Sequence, residues 1–547
     1  MSAWTDEVDY VIVGAGSAGC VLAHRLSADD ACRVALLEAG GGDHHPFVRM
    51  PIGFLKALQR PELTWGYQSE PEAALLGRRI PIPRGRLLGG SSSINGMFHI
   101  RGHRLDFDAW RDLGCVGWGY DDVLPYFRRS ESNWRGASLW HGADGPLQVR
   151  AIDTRELLAE PLTQAAVAAG HLRTSDYDGQ LQEGVARGDV AIDRRGRRSS
   201  SARAYLHPVR GRHNLKVFTH AQARRVIVEH GRAVGVEFMR AGRICRLRAR
   251  REVVLCGGAY NSPHLLMLSG IGAAAALRGH GIGVVADLPG VGRNLIEHPR
   301  MMLEYRASRP VTFLRQLRLD RAAWSALRWA VFGSGPFATQ ICSATVLLRT
   351  EPGLDRPDIQ LLCNPVRLDA GLWFPGWRPS KAHSFYITVC QLHQRSRGHV
   401  ELASADPTQA PRIQLNLFSD PEDLRTMRAG VRAARAIYAE MPQAELVDRE
   451  TIPGPAAQSD AQLDEAIRAY GGITHHPVGT CAMGVGPLSV VDPGLRVHGV
   501  AGLRVVDASV MPTIPGGNTN AATVMIAEKA ADLILGAAPQ AREGARS

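Results

Sequence analysis

The chain has 547 residues, of which 45% are hydrophobic and 21% are charged, a composition of folded soluble proteins that excludes a largely disordered chain. This length exceeds one ordinary domain, so two fused domains are expected. The formal net charge is +11, but the arginines are scattered and runs such as residues 194–198 are short. We therefore expect solvated surface arginines and no nucleic acid partner, with attraction to anionic substrates or to a membrane surface as the alternatives.

The nine cysteines are widely separated and form neither a CxxC pair nor a Cys/His cluster at metal-ligand spacing. Reduced thiols and no metal site are expected. Residues Met1 to Asp9 lack the apolar core of a secretory signal, and no apolar run approaches the ~20 residues of a spanning helix. A cytoplasmic protein is predicted, and peripheral association with a membrane stays open.

The first predicted unit is β-α-β. Val8 to Val13 is a candidate buried parallel strand because both of its faces are apolar. A glycine-rich segment, Gly14 to Gly19, follows it, and Cys20 to Leu26 continues as an apolar helix. Arg33 to Leu37 is a second buried strand, which ends at Glu38. A GxGxxG sequence in this setting, with an acidic residue about 20 positions on, is typical of dinucleotide binding.

Each residue of this motif has a physical role. Gly14 makes the tight turn, Gly16 lets a diphosphate approach the backbone, and Gly19 lets the helix pack closely on the strand. The unpaired N–H groups at the helix start favour the diphosphate charge. Glu38 would accept hydrogen bonds from the ribose hydroxyls. The motif alone does not separate FAD from NAD.

The next distinctive segment is Pro83 to Met97, which contains Gly-Gly-Ser-Ser-Ser. Its glycines permit close backbone approach, and its small hydroxyls suit a phosphate or a flavin. A surface loop without a ligand explains this composition equally well.

Two strand-to-loop junctions lie far downstream. Glu252 to Cys256 is a short strand that leads into Gly257, and Leu503 to Val506 leads into Asp507. Ala521 to Leu535 then has the apolar spacing of a closing helix. Nucleotide-binding elements are therefore spread over the whole chain, which predicts a discontinuous domain with a second domain inserted.

Residues 301–441 differ in pattern. His383 to Cys390 and His399 to Leu402 alternate as strands do, and Pro421 to Tyr438 has helical spacing. This pattern predicts an antiparallel sheet with helices on one side, suited to covering a substrate pocket. The polar tail from about Ala538 is expected to fray.

Seven segments in order carry a resemblance to a known family. They are GAGSAG from Gly14, PRGRLLGGSSSINGM from Pro83, GGAYNSPHLLMLSGIG from Gly257, PGVGRNLIEHP from Pro289, HPVGTCAMG from His476, VVDASVMP from Val505 and GGNTNAATVMIAEK from Gly516. From Asp9 to about Leu535, the chain resembles the glucose–methanol–choline (GMC) oxidoreductase family, and within it the bacterial alcohol and choline dehydrogenase-like branch.

The resemblance implies a doubly wound, Rossmann-like α/β FAD-binding domain, discontinuous in sequence, joined to an α+β substrate domain with an antiparallel sheet. The expected boundaries are 6–300 for the first part of the FAD-binding domain, with cap segments at about 45–80 and 151–200. The substrate domain is expected at 301–465, and the last part of the FAD-binding domain at 466–538.

The resemblance also implies which residues line the FAD. They are Gly14, Gly16, Ser17, Ala18, Gly19, Glu38, Ala39, Arg86, Gly90, Ser91, Asn95, Gly96, Met97, Ala223, Asp507, Ala508 and Thr519. The backbone at Ala223 is expected at the adenine, and Asp507 and Ala508 near the pyrophosphate and ribityl chain.

The implied reaction oxidises an alcohol by hydride transfer to flavin N5, which requires a base for the hydroxyl proton. A histidine that is neutral when it acts suits this role, and the family places it directly before Pro-Val-Gly-Thr, at His476. Asn518 matches the family position that holds the substrate oxygen. His475 is expected in the pocket wall or at the surface, because adjacent side chains of an extended backbone face apart.

Three positions depart from the family pattern. Ile94 stands where members with a covalently bound flavin carry histidine, so non-covalent FAD is expected. His99 replaces a residue that is often tyrosine, which would alter the pocket beside the flavin. Glu297 replaces the usual aspartate and is expected to keep a helix-cap or phosphate-side role.

Several alternatives remain. A quinone or dye is the favoured electron acceptor over O2, and a lyase or photodecarboxylase on the same fold is the second enzyme hypothesis. A flavin-binding module without catalysis is the non-enzyme hypothesis. A primary aliphatic or aromatic alcohol is the predicted substrate, since choline needs a carboxylate or an aromatic cage. Trp373 and Phe374 are candidates for the pocket wall or for the core. The sequence does not indicate the oligomeric state.

Overall fold

A computed structural model describes residues 4–537. The predicted fraying of the tail from about Ala538 lies outside these described residues. Two seven-stranded sheets and one contiguous hydrophobic core that contains residues of both organise this part of the chain. The strands of the two sheets are β1 (Asp6–Val13), β2 (Val34–Leu37), β3 (Gly184–Ala186), β4 (Leu215–Phe218), β5 (Ala221–Glu229), β6 (Arg232–Arg240), β7 (Arg243–Leu255), β8 (Pro299–Ala307), β9 (Ala344–Leu348), β10 (Ile359–Asn364), β11 (Ser384–Gln391), β12 (Val447–Ile452), β13 (Gly472–Ile473) and β14 (Leu503–Val505).

The longer helices pack on these sheets. They are α1 (Ser17–Leu26), α2 (Arg104–Asp112), α3 (Tyr120–Ser130), α4 (Ala159–Ala168), α5 (Gly258–Leu268), α6 (Leu319–Phe332), α7 (Pro421–Ala439), α8 (Asp460–Tyr470) and α9 (Asn520–Leu535). Shorter paired strands are Tyr67–Gln68 with Pro81–Ile82, Glu131–Asn133 and Asp189–Val190 with Leu147–Ala151, Ile271–Gly272 with Ala286–Asp287, and His399–Glu401 with Arg412–Gln414.

The first sheet has the order β5-β6-β7-β1-β2-β4, with β14 beside β7. The predicted β-α-β unit is confirmed, since β1 and β2 are parallel and the turn before α1 joins them. The predicted short strand at Glu252 to Cys256 is instead the end of the 13-residue strand β7. Arginines alternate with apolar residues in the first half of β7, and one face of this half is exposed. The half therefore lacks the continuous apolar run that predicts a buried strand.

The second sheet has the order β12-β8-β11-β10-β9-β3, is antiparallel, and has β13 beside β8. The predicted strand at His383 to Cys390 is confirmed as β11, and α7 packs against it. Helix α7 begins at Pro421, where the Asp420 side chain accepts a hydrogen bond from Glu422 N. The predicted strand at His399 to Leu402 is not part of this sheet, because His399–Glu401 pairs only with Arg412–Gln414.

The predicted closing helix is confirmed as α9. It packs between α1 and α3, and Arg25 of α1 binds Glu528 and Asp532 of α9. The end of the described chain therefore completes the domain that its beginning starts. Within residues 4–537, every helix is too short or too polar to cross a membrane.

We propose the domain division expected from the sequence, with two adjustments. The first sheet draws its strands from residues 6–255 and 503–505, and the second sheet draws most of its strands from residues 299–452. Strand β3 lies in the expected 151–200 cap segment, and β13 lies in the expected last part of the FAD-binding domain, yet both pair with the second sheet. The two proposed domains are thus interleaved at these strands.

Candidate active site

A cavity of about 560 Å³ runs between the two sheets, from the turn before α1 to His476 and Asn518. Nearly all of the residues predicted from the sequence line it. They are Gly14, Gly16, Ser17, Ala18, Glu38, Ala39, Arg86, Gly90, Ser91, Asn95, Gly96, Met97, Ala223, Asp507, Ala508, Thr519, His476 and Asn518. The structure thus brings together segments that are up to about 500 residues apart in the chain.

Gly19 is the predicted cofactor residue that lies outside this wall. It is buried in α1, and a Cβ added there would lie 1.9 Å from the Gly14 carbonyl oxygen. Its role is close packing of the helix against the turn, which the motif requires, and not direct contact with a ligand.

The turn before α1 has the shape that a diphosphate needs. Gly14 has a φ of +102°, and a Cβ there would lie 2.5 Å from the Cys256 carbonyl oxygen. A Cβ on Gly90 would lie 2.8 Å from Gly16 Cα. No side chain caps the N-terminus of α1, so its first N–H groups stay available.

Glu38 lies at the end of β2, where the ribose is expected. One carboxylate oxygen accepts from Ala15 N (3.0 Å) and the other from Gly40 N (2.8 Å). Each oxygen keeps a further lone pair for a hydroxyl. Burial raises the pKa of Glu38 to about 7, because charge is costly in an apolar site.

The middle of the cavity wall is formed by residues 83–98, which follow the short strand Pro81–Ile82. Asn95 Oδ1 accepts from Met97 N (3.0 Å) and from Arg198 Nη1 (2.8 Å). Arg198 is buried, and burial lowers its pKa to about 9. Ile94 also lines the cavity and offers no nucleophile to a flavin.

His476 lies at the other end, with a polar partner on each ring nitrogen. Its Nε2 is 3.0 Å from Asn518 Nδ2, and its Nδ1 is 3.0 Å from both Thr474 Oγ1 and His298 Nδ1. The rings of His298 and His476 meet edge to face, with centroids 5.2 Å apart. Asn518 Oδ1 is buried without a partner, which leaves an acceptor available at this point.

These partners determine which His476 nitrogen carries the proton. His298 Nε2 lies 3.0 Å from the Leu392 carbonyl, which only accepts, so neutral His298 has its proton on Nε2 and an acceptor at Nδ1. The Thr474 hydroxyl donates to the His298 carbonyl (3.1 Å), so its oxygen also acts as an acceptor. His476 Nδ1 faces both acceptors and therefore carries the proton. The lone pair of neutral His476 is on Nε2, beside Asn518.

The surroundings keep this imidazole neutral. Burial, and then the neighbouring His298, His475 and Arg84, lower the pKa of His476 well below its usual value. His298 is fully buried, and its pKa is lowered to about 3. An unprotonated Nε2 at neutral pH is what a base for a hydroxyl proton requires.

His475 also lines the cavity, in the wall position expected for it. Its φ of +67° places it in the left-handed region, so the backbone is not extended here and both imidazoles can reach the cavity wall. Burial and two nearby arginines, Arg300 and Arg84, lower its pKa to about 3.

Two expectations at the departures from the family pattern are wrong. Glu297 caps no helix; its buried carboxylate accepts from the backbone N–H of His476, and burial raises its pKa to about 8. His99 does not line the cavity. Its Nε2 lies 2.8 Å from Glu131 Oε2 in a buried cluster with Arg101. The neighbouring Phe98 lines the cavity instead.

Trp373 and Phe374 do not line the cavity either. Trp373 packs against a hydrophobic cluster that includes Leu314, and its Nε1 donates to the Leu314 carbonyl (2.9 Å), while Phe374 is 39% exposed. A cage for a quaternary ammonium is therefore not built from this pair.

Three further residues are functional candidates that the sequence patterns do not identify: His298, Arg84 and Arg300. All lie inside or next to quoted motifs, but nothing in the sequence shows that they meet His475 and His476. His298 and Arg300 lie near these two histidines because Ile296 pairs with Val478 and strand β8 pairs with β13, contacts between residues distant in sequence.

Comparison with known proteins places this geometry in a family. Family models described as GMC oxidoreductase match residues 8–300 and 394–527. The chain is 42% identical over 538 residues to a protein named oxygen-dependent choline dehydrogenase in Sinorhizobium fredii, which covers 98% of this chain and 97% of that protein. A protein of the same name from Rhizobium meliloti matches at the same identity and coverage.

Solved structures agree over nearly the whole length. Pyridoxine 4-oxidase from Mesorbium loti superposes with a TM-score of 0.86 at 33% identity, over 96% of this chain and 98% of that one. A formate oxidase superposes with a TM-score of 0.88 at 28% identity, over 98% and 99% of the two chains.

Proposed function

The chain belongs to the GMC oxidoreductase family, FAD-dependent enzymes that oxidise alcohols, and we propose that His476 is its catalytic base, with Asn518 holding the substrate oxygen. The observation that carries the proposal is the unprotonated Nε2 of His476, which lies 3.0 Å from Asn518 Nδ2 where both residues line the cavity. This pair is intact, which favours alcohol oxidation over lyase or photodecarboxylase chemistry on the same fold.

The residues perform three tasks in this proposal. His476 Nε2 accepts the hydroxyl proton, and one amide N–H of Asn518 donates to the substrate oxygen. His298 and Thr474 hold the His476 ring and keep its proton on Nδ1. The chemistry that FAD supplies when bound is acceptance of a hydride from the alcohol carbon, which leaves an aldehyde or ketone.

The residues present fit FAD. The uncapped N-terminus of α1 suits the diphosphate, Glu38 suits the ribose, and the unpartnered Asn518 Oδ1 marks a polar end for the flavin and substrate. We propose non-covalent attachment because Ile94 occupies the position of the family's flavin-linking histidine.

Anaerobic bleaching of the bound flavin by an alcohol tests the role of His476. His476→Ala is expected to slow flavin reduction by about 10²- to 10⁴-fold, the usual contribution of a general base, while FAD stays bound. His475→Ala is the matched control, since His475 lines the same cavity and its Nδ1 has no hydrogen-bond partner among the described residues; its effect is expected to be much smaller. Equal reduction rates in wild type and His476→Ala would refute the assignment.

For the electron acceptor we favour a quinone. The relatives' names include "oxygen-dependent" and "oxidase", so O2 is the competing acceptor. Helix α6 exposes the apolar side chains of Trp324, Leu327, Val331 and Phe332, and this surface supports an acceptor dissolved in lipid. Reoxidation of the substrate-reduced enzyme by a soluble ubiquinone analogue is expected to be faster than reoxidation by air-saturated buffer, and the reverse order would identify an oxidase.

A further inference from the structure

We propose that the alcohol substrate carries a carboxylate that binds Arg300. This inference rests on the proposed oxidation at His476, and it separates this chain from its relatives named for choline, which is a cation. Four observations carry it: the unpartnered Nη1 of Arg300, the charge of the cavity, the state of the nearby acid and the position of a second cavity.

Arg300 has one unpartnered donor nitrogen, Nη1, and also hydrogen-bonds the Tyr386 side chain. It is the second residue of β8, and its side chain lines the cavity. Its Nε donates to the carbonyl of Ile473 (2.6 Å), three residues before His476. Its Nη1 is buried without a hydrogen-bond partner, and within residues 4–537 no carboxylate lies within ion-pair distance of it. A buried, unpaired guanidinium N–H is costly, and a bound carboxylate would satisfy it.

The guanidinium of Arg300 lies against strand β13. Arg300 pairs with Gly472 in the second sheet, and a Cβ on that glycine would lie 3.7 Å from Nη2 of Arg300. Arg300 is close enough to His475 to be the second cause of its lowered pKa, after burial. The side chain therefore lies near His475, the chain neighbour of the proposed base His476.

The charges around this end of the cavity are positive. Arg84 also lines it, donating to the His475 carbonyl (2.8 Å), and Arg78 lies near Arg300 and donates to the carbonyls of Arg468 and Gly471. The carboxylates in the cavity wall are Glu38 and Asp507. Both already accept hydrogen bonds from the protein. Glu38 accepts from Ala15 N and Gly40 N, and Asp507 accepts from Gly258 N (2.8 Å) and Ser262 Oγ (2.6 Å).

The nearest acid does not offset these arginines. Glu297 contacts the backbone of His476, and its pKa of about 8 keeps it largely protonated at neutral pH. An aromatic cage is not open to a cation either, since the Arg86 guanidinium already lies 4.8 Å over the Trp65 ring. Tyr67 stacks on Trp65 and is edge-on to Tyr260. A cationic substrate would meet repulsion here, and an anionic one attraction.

A second cavity of about 520 Å³ adjoins the first. The two share Arg300, Ile473, His475, Pro83, Tyr67 and Leu58. Arg300 thus lies where the cavities meet, and a substrate could place its alcohol at His476 and its anionic end at this junction.

The test uses matched sets of alcohols in anaerobic flavin bleaching of the FAD-loaded enzyme. Each set keeps one skeleton, benzylic or short aliphatic, and ends it in methyl, carboxylate or trimethylammonium; choline is included. The carboxylate member is expected to give the highest ratio of reduction rate constant to Kd, by about ten- to a hundredfold, the worth of a charge-assisted hydrogen bond.

Variants locate the effect. In Arg300→Gln the carboxylate-to-methyl ratio is expected to fall at least about tenfold, and Arg300→Lys should keep part of it. Arg306→Gln is the matched control, because Arg306 lies on the same strand but is exposed; it should keep the wild-type ratio. Flavin content and absorption spectrum verify that each variant folds.

The outcomes separate the two proposals. If no alcohol bleaches the flavin, alcohol oxidation at His476 fails. If alcohols bleach it but the trimethylammonium members or choline do so best, or if Arg300→Gln leaves the ratio unchanged, the carboxylate proposal is overturned and the oxidation stands.

An independent observation concerns α6, whose amphipathicity is inverted. The side chains it buries are Ala322 and Ser325, and Trp329 is half-buried with its Nε1 donating to the Gly196 carbonyl (2.7 Å), while the other large apolar side chains face solvent. The exposed fractions are 63% for Trp324, 53% for Leu327, 62% for Val331 and 72% for Phe332. A helix normally buries its apolar face, so this exposed one indicates a surface that another phase or molecule covers.

A neighbouring loop extends this apolar surface. Leu319 N donates to the Trp373 carbonyl (2.9 Å), which joins the start of α6 to residues 372–377. In this loop Leu372 is 43% exposed and Trp377 is 74% exposed. Leu368, four residues before the loop, lines the main cavity, so the chain connects this surface directly to the cavity wall.

The structure assigns this surface to a membrane containing anionic lipid. Exposed basic residues flank it: Arg315 before α6, Arg328 on α6 and Arg378 after the loop, while the nearby Lys381 pairs with Asp369. Tryptophans beside basic side chains are typical of helices that lie at a lipid–water interface, and the net charge of +11 adds attraction to anionic headgroups.

Vesicle sedimentation tests this assignment with full-length holoenzyme. The protein is expected to sediment with vesicles of phosphatidylcholine and phosphatidylglycerol in equal parts, and much less with phosphatidylcholine alone. The double variant Trp324→Ser, Phe332→Ser should lower the bound fraction at least about tenfold, since each substitution removes apolar area that the membrane would bury.

A matched control removes exposed apolar groups elsewhere. Leu139 is 70% exposed and Leu488 is 60% exposed, and Leu139→Ser with Leu488→Ser should bind vesicles as wild type does. No binding to anionic vesicles overturns the assignment. Light scattering gives a second contradicting outcome. If the wild type is a dimer and the α6 double variant is a monomer, a second copy of the chain covers this surface and the assignment to a membrane is overturned.

Discussion

The position of one proton decides whether His476 can act as a base. Two acceptors, His298 Nδ1 and Thr474 Oγ1, hold that proton on Nδ1, so the reactive lone pair stays on Nε2. His298 can accept only because its own proton is donated to the Leu392 carbonyl. His298 is therefore a positioning residue, which acts on the substrate through His476.

His298 can be tested with a conservative and a disruptive variant. His298→Leu removes the acceptor and is expected to slow anaerobic flavin reduction by about ten- to a hundredfold. In His298→Gln the amide oxygen can accept from His476 and the amide N–H can donate to Leu392, so reduction should recover to near the wild-type rate. A merely structural role would not be rescued in this way, and equal loss in both variants would argue for one.

Glu297 gives stability a pH dependence of predictable sign. Burial raises its folded-state pKa from 4.5 to about 8. Its contribution is therefore full below pH 4.5 and is lost as the pH rises through 8, because the folded state must then hold a buried charge. Relative to Glu297→Gln, the wild type should lose up to about 1.4 kcal/mol of unfolding free energy per pH unit in this range. Thermal melts of both proteins at several pH values measure it; a constant difference would contradict the shift.

At this scale the sequence identifies residues that act within one motif. His476 and Asn518 stand in contiguous family segments, so spacing and type suffice to choose them. His298, Arg84 and Arg300 gain their roles from contacts across the fold, and the failed expectations for Glu297 and His99 have the same origin. Their partners, the His476 backbone and Glu131, are distant in sequence.

At the scale of elements, the turn from β1 into α1 is the most constrained part of the fold. Gly14 cannot carry a Cβ because of the Cys256 carbonyl at the end of β7, and Gly19 cannot because of Gly14 itself. Three elements therefore meet without side chains between them, and this contact is what leaves room at the start of α1 for a diphosphate.

Gly19→Ala is expected to force this turn open. The new Cβ would lie 1.9 Å from the Gly14 carbonyl oxygen, so the backbone must shift and FAD should be largely lost on purification. The ratio of flavin to protein absorbance measures the loss. Gly211→Ala is the control, because no atom lies within 4 Å of its Cβ and its φ is not positive. Full flavin content in Gly19→Ala would show that the turn tolerates a side chain.

Elements are predictable where their burial pattern is uniform. Strands β1, β2 and β11 are apolar on both faces, and α9 is apolar along its length, so periodicity finds them. Strand β7 changes from half-exposed to buried along its length, and only its buried end is visible in the sequence. Which sheet a strand joins is set by long-range pairing, which explains the error at residues 399–401.

At the scale of the whole molecule, one ligand site draws on both ends of the chain and on both sheets. Gly14, Asn95, Ala223, Asp507 and Asn518 line a single cavity. Bound FAD would therefore contact segments that are otherwise connected only through packing, and it should stabilise the folded chain as a unit.

The proposed non-covalent attachment makes this stabilisation removable. After unfolding in guanidinium, the flavin is expected to pass an ultrafiltration membrane, because Ile94 offers no atom for a covalent bond. Partly depleted folded protein should melt at a temperature that rises with added FAD. Flavin retained with the unfolded polypeptide would contradict the expectation and point to a different attachment residue.

The place of β14 has a consequence for how the protein is made. This strand pairs with β7, yet the ribosome adds it about 250 residues later, which takes roughly 12 to 50 s at ordinary elongation rates. During that interval the three residues Val253 to Leu255 of β7 lack this partner, and the histidine and asparagine at the flavin end have not yet been synthesised. The first sheet therefore stays incomplete until the end of the chain is synthesised, and until then these strand residues are open to incorrect pairing.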